Sequence, residues 1–281
     1  MIEVGKHADL EIVKETDFGV YLSEEDFGEE EILLPMRYVP TEAEVGDIIN
    51  VFIYRDSEDR IIATTLVPDA VVGEFAYLKV DSATKTGAFM EWGLPKDLLV
   101  PFTKQKRRME AGRWYLVYLY LDKVTDRVVG TSKIGKYIED IDPEMQVGDE
   151  VSILVAGETE IGYRVIAENK YLGILYKSEI FKGIKPGHKG KAYIKKFRDD
   201  NRMDLSLQPV GYVAAIPDAS EKILHLMNEN EGELMLTDKS SPEEIYSKLE
   251  MSKKNFKKAV GRLFREKKIL ILEDKLVRND D

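Results

Sequence analysis

The fold is decided by the stretch GHKGKAYIKKFRDDNRMDLSLQ, which spans residues 187–208. It holds six Lys or Arg residues against three Asp, in a chain of 281 residues whose formal net charge is -11. Aromatic side chains lie among the cations, and the stretch closes on the alternating pattern RMDLSLQ. Alternation of apolar and polar residues is typical of half-buried strands, so the stretch predicts a β-hairpin with a basic outer face.

The same pattern occurs twice more upstream. Residues 45–65 are VGDIINVFIYRDSEDRIIATT, and residues 111–132 are AGRWYLVYLYLDKVTDRVVGTS. Each segment has an early glycine, an alternating apolar strand, an acidic turn and then an arginine. Glycines recur in register, with 14 residues between the first and second of each copy. The three sets are Gly5, Gly19 and Gly46; Gly73, Gly87 and Gly112; and Gly148, Gly162 and Gly187.

Each copy of the repeat has several short runs of β-branched and aromatic residues, separated by glycines and acidic turns. Repeats of about 70 residues indicate a modular chain. Short strands at regular spacing predict a small all-β barrel, and five strands in this length indicate the OB type. The second glycine of each copy lies inside a strand, where glycine suits a bulge or a tight barrel bend.

The pattern changes to helical spacing after Pro217. The segment PDASEKILHLMNENEG places Ile223, Leu226 and Met227 on one face of a helix. In SSPEEIYSKLEM, Ser241 and Glu244 have the spacing of a capping box at the start of a second helix.

A third helix is predicted in SKKNFKKAVGRLFREKK, whose eight cations and one Glu give it a charge of +7. The segment ILILEDKLVR then predicts a hairpin that turns at Glu273–Asp274. Three helices and a hairpin indicate an α+β winged helix with the third helix as its recognition element. The predicted apolar stripe of that helix comprises Phe256, Ala259, Val260, Leu263 and Phe264.

The predicted fold is therefore multi-domain, with tandem five-stranded OB-type barrels and a C-terminal winged helix. The predicted modules are 1–66, 67–140, 141–213 and 214–281, with net charges of -12, +2, 0 and -1. Nearly all the acidity thus lies in the first module. Binding of nucleic acid depends on local patches, so the acidic total does not exclude it.

Several classes of protein are disfavoured by what the sequence lacks. It has no cysteine, which excludes disulfides and thiolate metal sites and suits a reducing compartment. We expect a cytoplasmic protein without a membrane partner, because no secretory signal or long apolar run is present. His7, His188 and His225 lie in different modules, and no phosphate-binding or nucleophile motif occurs. We expect no catalysis, cofactor or metal, although a carboxylate-metal nuclease site stays open.

The third module resembles the S1 domain, an RNA-binding repeat of ribosomal proteins. The motifs that carry this resemblance are VGDEV, IGYRV, LGILYKSEI and DDNRMDLSLQ, all between residues 147 and 208. The first module matches through DFGVYL and DSEDRIIAT, and the second through TGAFM and DRVVGTS. The resemblance extends over residues 1–210 and implies that the barrels bind RNA.

In S1 domains the RNA face uses two aromatics of the second strand, a histidine of the third, and an Asp and an Arg of the last hairpin. No copy in this chain matches the full set. The matching residues of copy one are Phe18, Tyr21, Asp56 and Arg60, and those of copy two are Phe89, Asp122 and Arg127. In copy three they are Tyr163, Arg164, Asp199 and Arg202. Copy three also has Ile161 near an aromatic position and Tyr176 in place of the histidine.

Two roles stay open for most of these residues. Core packing is favoured for Phe18, Tyr21 and Phe89, and a structural role for Arg60 in its acidic module. Tyr193 is expected to point outward between two lysines, either to stack on RNA or to pack on a neighbouring module. The predicted RNA-binding residues are Phe89, Lys106, Arg107, Arg108, Arg127, Tyr163, Arg164, Tyr176, Lys191, Tyr193, Lys195 and Arg202.

The order of modules, three barrels and a winged helix, resembles the bacterial conserved virulence factor B family. This resemblance implies a non-enzymatic regulator that binds single-stranded RNA and affects virulence gene expression. Two alternatives remain: a winged-helix regulator that binds DNA, and a protein adaptor for the ribosome or RNA polymerase. In the winged helix, the predicted nucleic-acid-binding residues are Lys253, Lys254, Lys257, Lys258, Arg262 and Arg265.

Overall fold

The computed structural model describes residues 2–24, 31–177, 180, 183–209, 216–249 and 251–279. Within these residues it contains three closed five-stranded barrels in tandem and a C-terminal α+β domain. The predicted fold class is confirmed. Short 3-10 helices lie at Met36–Tyr38, Phe102–Lys104 and Ile134–Tyr137.

Barrel 1 consists of β1 (His7–Thr16), β2 (Gly19–Ser23), β3 (Ile32–Pro35), β4 (Ile48–Arg55) and β5 (Ile61–Thr64). The strands close in the order β1-β2-β3-β5-β4, with β3 and β5 parallel and the other pairs antiparallel. Inward residues of alternating strands fill the interior, among them Ile12, Leu22 and Leu34, which are fully buried. This alternation is what a barrel of this size requires.

Barrel 2 consists of β6 (Phe75–Ala83), β7 (Gly87–Met90), β8 (Leu98–Pro101), β9 (Trp114–Asp122) and β10 (Arg127–Thr131). It has the same closure and the same parallel pair, here β8 with β10. Barrel 3 repeats this arrangement with β11 (Glu150–Glu158), β12 (Gly162–Ala167), β13 (Tyr171–Tyr176), β14 (Lys189–Arg198) and β15 (Arg202–Ser206).

The glycine repeat has a structural reason at the second glycine of each copy. At Gly162 an added methyl group would overlap the carbonyl oxygen of Leu175 on the neighbouring strand. Gly19 and Gly87 have the same close approach, to the carbonyl oxygens of Leu34 and Val100. These positions therefore keep glycine because β12 and its counterparts pass too close to the adjacent backbone for a side chain.

Barrels 1 and 2 share a core. Phe52, Tyr54 and Ile62 of barrel 1 pack in the same buried cluster as Trp92 and the interior of barrel 2. The rings of Phe52 and Trp92 meet edge to face, with 5.8 Å between centroids. Apolar burial of this kind is the main stabilising contribution at the junction.

Barrels 2 and 3 are joined by a second apolar cluster, in which Phe75, Leu154 and Ile166 are buried. The side chain of Asn169 bridges the same junction. It accepts a hydrogen bond from the Phe75 N–H and donates one to the Gly73 carbonyl oxygen, each at 2.8 Å. These contacts give the two barrels one relative orientation, which defines the space between them.

The C-terminal domain has α1 (Ile216–Glu229), β16 (Glu233–Leu234), α2 (Pro242–Leu249), α3 (Lys253–Arg265), β17 (Ile269–Ile271) and β18 (Leu276–Arg278). The predicted capping box is confirmed, because the Ser241 N–H donates to Glu244 Oε2 and the Glu244 N–H donates to Ser241 Oγ. The predicted turn is also confirmed, since the Leu272 N–H donates to the Lys275 carbonyl oxygen at 2.9 Å. The prediction that Phe264 packs inward is wrong: its side chain is 51% exposed.

Candidate nucleic-acid interface

A cleft between barrels 2 and 3 brings together predicted residues from two modules. It has a volume of about 440 Å³. Lys106 and Arg107 reach it from the loop after β8, and Arg164 reaches it from β12. The Arg164 guanidinium lies over Gly157, which has no side chain to obstruct it. Three cations that are far apart in sequence thus face one space.

Tyr77 and Trp114, which are not among the residues predicted from the sequence, lie in the same cleft. The rings of Tyr77 and Trp114 are stacked, with 5.8 Å between centroids and 12° between planes. Trp114 is 53% exposed, which is high for a tryptophan. An exposed indole supported on its other side by a tyrosine is a ready surface on which a planar base can stack.

The cations of the cleft are not engaged in ion pairs within the described part of the chain. Among the described residues, no carboxylate forms an ion pair with Lys106, Arg107 or Arg164. Arg108, next in the loop, lies 5.5 Å from the ring centroid of Phe102 and outside the cleft. Because no carboxylate competes for them, these cations can bind a phosphate directly.

The outward pair of the basic strand β14 is engaged by an acid. Ala192 and Ile194 point into barrel 3, and Lys191 is exposed. The Lys191 ammonium donates to Glu150 Oε1 at 2.5 Å, and the Tyr193 hydroxyl donates to Glu150 Oε2 at 2.8 Å. These two hydrogen bonds hold the pKa of the Glu150 carboxyl below its usual range, and the bond from Lys191 has the larger effect. A phosphate that binds the Lys191 ammonium would compete with Glu150.

The final hairpin of barrel 3 has its own polar network. The Tyr176 hydroxyl donates to Asp204 Oδ1 at 3.2 Å and accepts from Arg198 Nη1 at 3.2 Å. Arg202 is exposed and lies 3.7 Å from the Asp200 carboxylate. Tyr163 is partly buried against the interior of barrel 3. Lys195 is exposed at a β-bulge of β14.

In barrels 1 and 2 the predicted residues have different surroundings. Phe89 lines a cavity of about 280 Å³ at the junction of the two barrels, together with Trp92 and Arg127. Arg127 donates to Asp59 of barrel 1, and Arg60 donates to Asp56 of its own hairpin at 2.7 and 2.9 Å. The prediction that Phe18 packs in the core of barrel 1 is wrong, because this side chain lies at the turn between two strands and is 78% exposed.

The third helix of the C-terminal domain presents a basic face. Ser252 caps α3 by accepting a hydrogen bond from the Asn255 N–H at 3.1 Å. Lys257 lies 3.8 Å from Asp238, and Arg262 binds Glu266 at 2.7 Å. In the described part of the chain, the cations of α3 without an ion-pair partner are Lys253, Lys254, Lys258 and Arg265.

The fold and these surfaces define a class of protein: tandem small barrels of the S1 type with a winged helix, both of which are nucleic-acid-binding domain types. Residues 4–66 match the S1 domain family, and residues 221–277 match the CvfB-like winged helix domain family. None of the helices in the described ranges is long and apolar enough to cross a membrane.

Comparison with known proteins gives relatives over most of the chain. The "Uncharacterized protein YitL" of Bacillus subtilis is 30% identical over 278 residues, covering 94% of this chain and 90% of the relative. "Conserved virulence factor B" of Staphylococcus aureus is 27% identical over 242 residues, covering 84% and 80%. The chain belongs to the conserved virulence factor B family.

A solved structure is also similar. It is a multidomain protein with nucleic acid binding domains from Streptococcus pneumoniae, 25% identical, with 98% of each chain covered and a TM-score of 0.43.

Proposed function

We propose that this protein binds single-stranded RNA in the cleft between barrels 2 and 3. One observation carries the proposal: the exposed, tyrosine-backed Trp114 lies in the same cleft as Lys106, Arg107 and Arg164. An aromatic platform beside a cationic track is how barrels of this type hold unpaired bases and their phosphates. A base can stack on Trp114 only when its face is free, so the cleft favours a single strand over a duplex.

The basic face of α3 extends this binding. Its cations would add phosphate contacts that are independent of sequence. Barrel 3 contributes the remaining predicted residues. Two of these, Lys191 and Tyr193, are hydrogen-bonded to Glu150 in the absence of RNA. We place the protein among non-enzymatic regulators that act after transcription, because its relatives include proteins named conserved virulence factor B and the resemblance implies control of virulence genes.

A second candidate function rests on α3 alone. Recognition helices of winged helices enter the major groove of duplex DNA, and α3 has the charge for such contacts. In that case the barrels would serve as a scaffold. A protein adaptor for the ribosome or RNA polymerase is the third candidate, and it needs no affinity for free nucleic acid.

The proposal is tested by fluorescence anisotropy of labelled single-stranded RNA and of duplex DNA over a salt series. Trp114→Ala should weaken RNA binding about 5- to 150-fold, since stacking contributes about 1–3 kcal/mol per base. The control is Val124→Ala, which removes an exposed apolar side chain from the turn between β9 and β10 of barrel 2. Preference for duplex with no effect of Trp114→Ala would favour the DNA regulator, and no binding to either would favour the adaptor.

A further inference from the structure

Two lysines, Lys104 and Lys136, form a pair over the ring of Tyr120, near the end of β9. The Lys104 ammonium lies 5.6 Å from the centroid of this ring, and the Lys136 ammonium lies 5.8 Å from it. Lys136 also lies 4.5 Å from the ring centroid of Tyr137, whose ring is 6.2 Å from that of Tyr120. Two aromatic side chains thus hold two cations in one small region of the surface.

This lysine pair has no counter-ion within the described ranges of the chain, where neither lysine forms an ion pair. The acids that adjoin the region in sequence have other partners. Glu139 lies 3.5 Å from the Lys170 ammonium, and the Asp122 carboxylate accepts hydrogen bonds from the Val124 N–H and the Thr125 hydroxyl, each at 3.3 Å. The two ammonium groups repel each other, so an anion bound to both would relieve that repulsion.

Two segments of barrel 2 connect the lysine pair to the cleft. Lys106 lines the cleft, and its N–H donates to Ser132 Oγ at 2.8 Å. The Ser132 N–H in turn donates to the Lys104 carbonyl oxygen at 3.0 Å. Ile134 also lines the cleft, and Lys136 follows it in the same 3-10 helix. The lysine pair therefore adjoins the cleft.

We propose that Lys104 and Lys136 bind a backbone phosphate of the RNA strand where that strand leaves the cleft. This inference rests on the proposed function and adds to it a second site and a path for the strand. From Trp114 to Tyr120, β9 spans about 20 Å at about 3.3 Å per residue. Several nucleotides of an extended strand can bridge that distance, and barrels of this type occupy about 4–16 nucleotides.

Continuity with the cleft favours an RNA strand over a small free anion. A strand that is already held in the cleft presents its next phosphates to the lysine pair at a high effective concentration. The site suits a phosphate more than a base, because the rings of Tyr118 and Tyr137 stack on each other with 3.8 Å between centroids, and Lys136 lies over Tyr137.

The test is fluorescence anisotropy of the full chain with labelled oligouridines of about 4 and about 12 nucleotides at about 0.05 M salt. The double variant Lys104→Gln/Lys136→Gln should bind the shorter RNA within about twofold of wild type, because few registers of a short strand on Trp114 reach the lysine pair. It should bind the longer RNA about 5- to 10-fold more weakly, as expected at this salt for the loss of one phosphate contact.

Lys14→Gln is the matched control, because the Lys14 ammonium makes the same kind of contact in barrel 1, 5.6 Å from the ring centroid of Tyr21. It should leave the affinity for both RNAs unchanged. The variant Lys104→Arg/Lys136→Arg keeps both charges and should bind the longer RNA within about twofold of wild type. Circular dichroism establishes that each variant is folded.

The outcomes separate this site from the proposed function. If Trp114→Ala weakens the binding of both RNAs while the glutamine double variant matches wild type at both lengths, the lysine site is overturned and the cleft stands. An arginine variant as weak as the glutamine variant would overturn the phosphate contact. Wild-type protein that binds neither RNA would overturn the proposed function and this site with it.

Discussion

The guanidinium of Arg127 in barrel 2 binds the carboxylate of Asp59 at the hairpin turn of barrel 1. The exchange is reciprocal, since Arg55 of barrel 1 donates to the Asp126 carbonyl oxygen at 3.0 Å and lies 3.3 Å from its carboxylate. Asp59 and Asp126 occupy equivalent positions in the two hairpins, and both have positive φ, 65° and 55°. The two hairpins thus hold barrel 1 against the side of barrel 2 that carries Phe89.

The first prediction is that Arg127 serves this junction and not RNA. Arg127→Gln should leave the affinity for single-stranded RNA within about twofold, because exposed ion pairs contribute little and the cleft is untouched. It should raise amide hydrogen exchange in the β4–β5 hairpin of barrel 1. The control is Lys170→Gln, which breaks an exposed ion pair with Glu139 at barrel 3, away from this junction. A loss of RNA affinity of tenfold or more would contradict this prediction and would show that Arg127 contributes to RNA binding.

The second prediction concerns acid. The hydrogen bond from Arg127 holds the pKa of the Asp59 carboxyl below its usual value of 3.8. A carboxyl whose pKa is lowered on folding stabilises the folded form above its unfolded pKa, and this stabilisation is lost as the pH falls through the lower value. The ion pair between Arg127 and Asp59 should therefore form above about pH 4 and be lost below it.

The NMR chemical shift of the Arg127 Nε–H can follow that change as the ion pair breaks. Asp59→Asn is the control, because it has no carboxylate to protonate and should blunt this pH response. An identical acid response in both proteins would show that protonation of other groups causes the change.

The third prediction concerns the cations of the cleft. The double variant Lys106→Ala/Arg107→Ala should reduce the slope of log affinity for single-stranded RNA against log salt by about 1.4. This value follows from about 0.7 per phosphate contact on a single strand. Lys123→Ala removes an exposed cation from the turn between β9 and β10 and should leave the slope unchanged. Equal slopes in all three proteins would place the phosphate contacts elsewhere.

The fourth prediction tests the reason for the repeated glycine. Gly162→Ala should lower the free energy of unfolding by about 1–3 kcal/mol or more, because the added methyl must displace the backbone of β13. Gly183→Ala is the control in the same module, since no atom of the described residues lies within 4 Å of that position and its φ is not positive. Similar unfolding midpoints in urea for both variants would contradict the close approach.

Much of the fold could be predicted because each module repeats its own local signals. Glycines in register, alternating strands and the Ser241–Glu244 capping box are all local features, and they fix the barrels and the second helix. Phe18 could not be placed in this way, because its position at a turn leaves it outside the alternation. The prediction for Phe264 failed for a similar reason, because this residue lies at the border of the apolar stripe of α3 and its side chain is exposed.

The cleft could not be predicted, because it depends on how two modules are oriented. Tyr77 and Trp114 are on different strands, and Arg164 belongs to another barrel. One signal was present in the sequence. The residues of β9 that point away from the interior of barrel 2 are Trp114, Leu116, Tyr118 and Tyr120, and such an aromatic and apolar outer face indicates contact with another surface.

The central claim is tested most directly by tryptophan fluorescence of the full chain. The sequence has two tryptophans, and Trp92 is buried while Trp114 lies half exposed in the cleft. A base that stacks on Trp114 should quench its emission as single-stranded RNA is added, and Trp114→Phe should abolish the quenching. Saturable RNA binding by anisotropy, with unchanged tryptophan emission in the wild-type protein, would contradict the account and place the RNA outside the cleft.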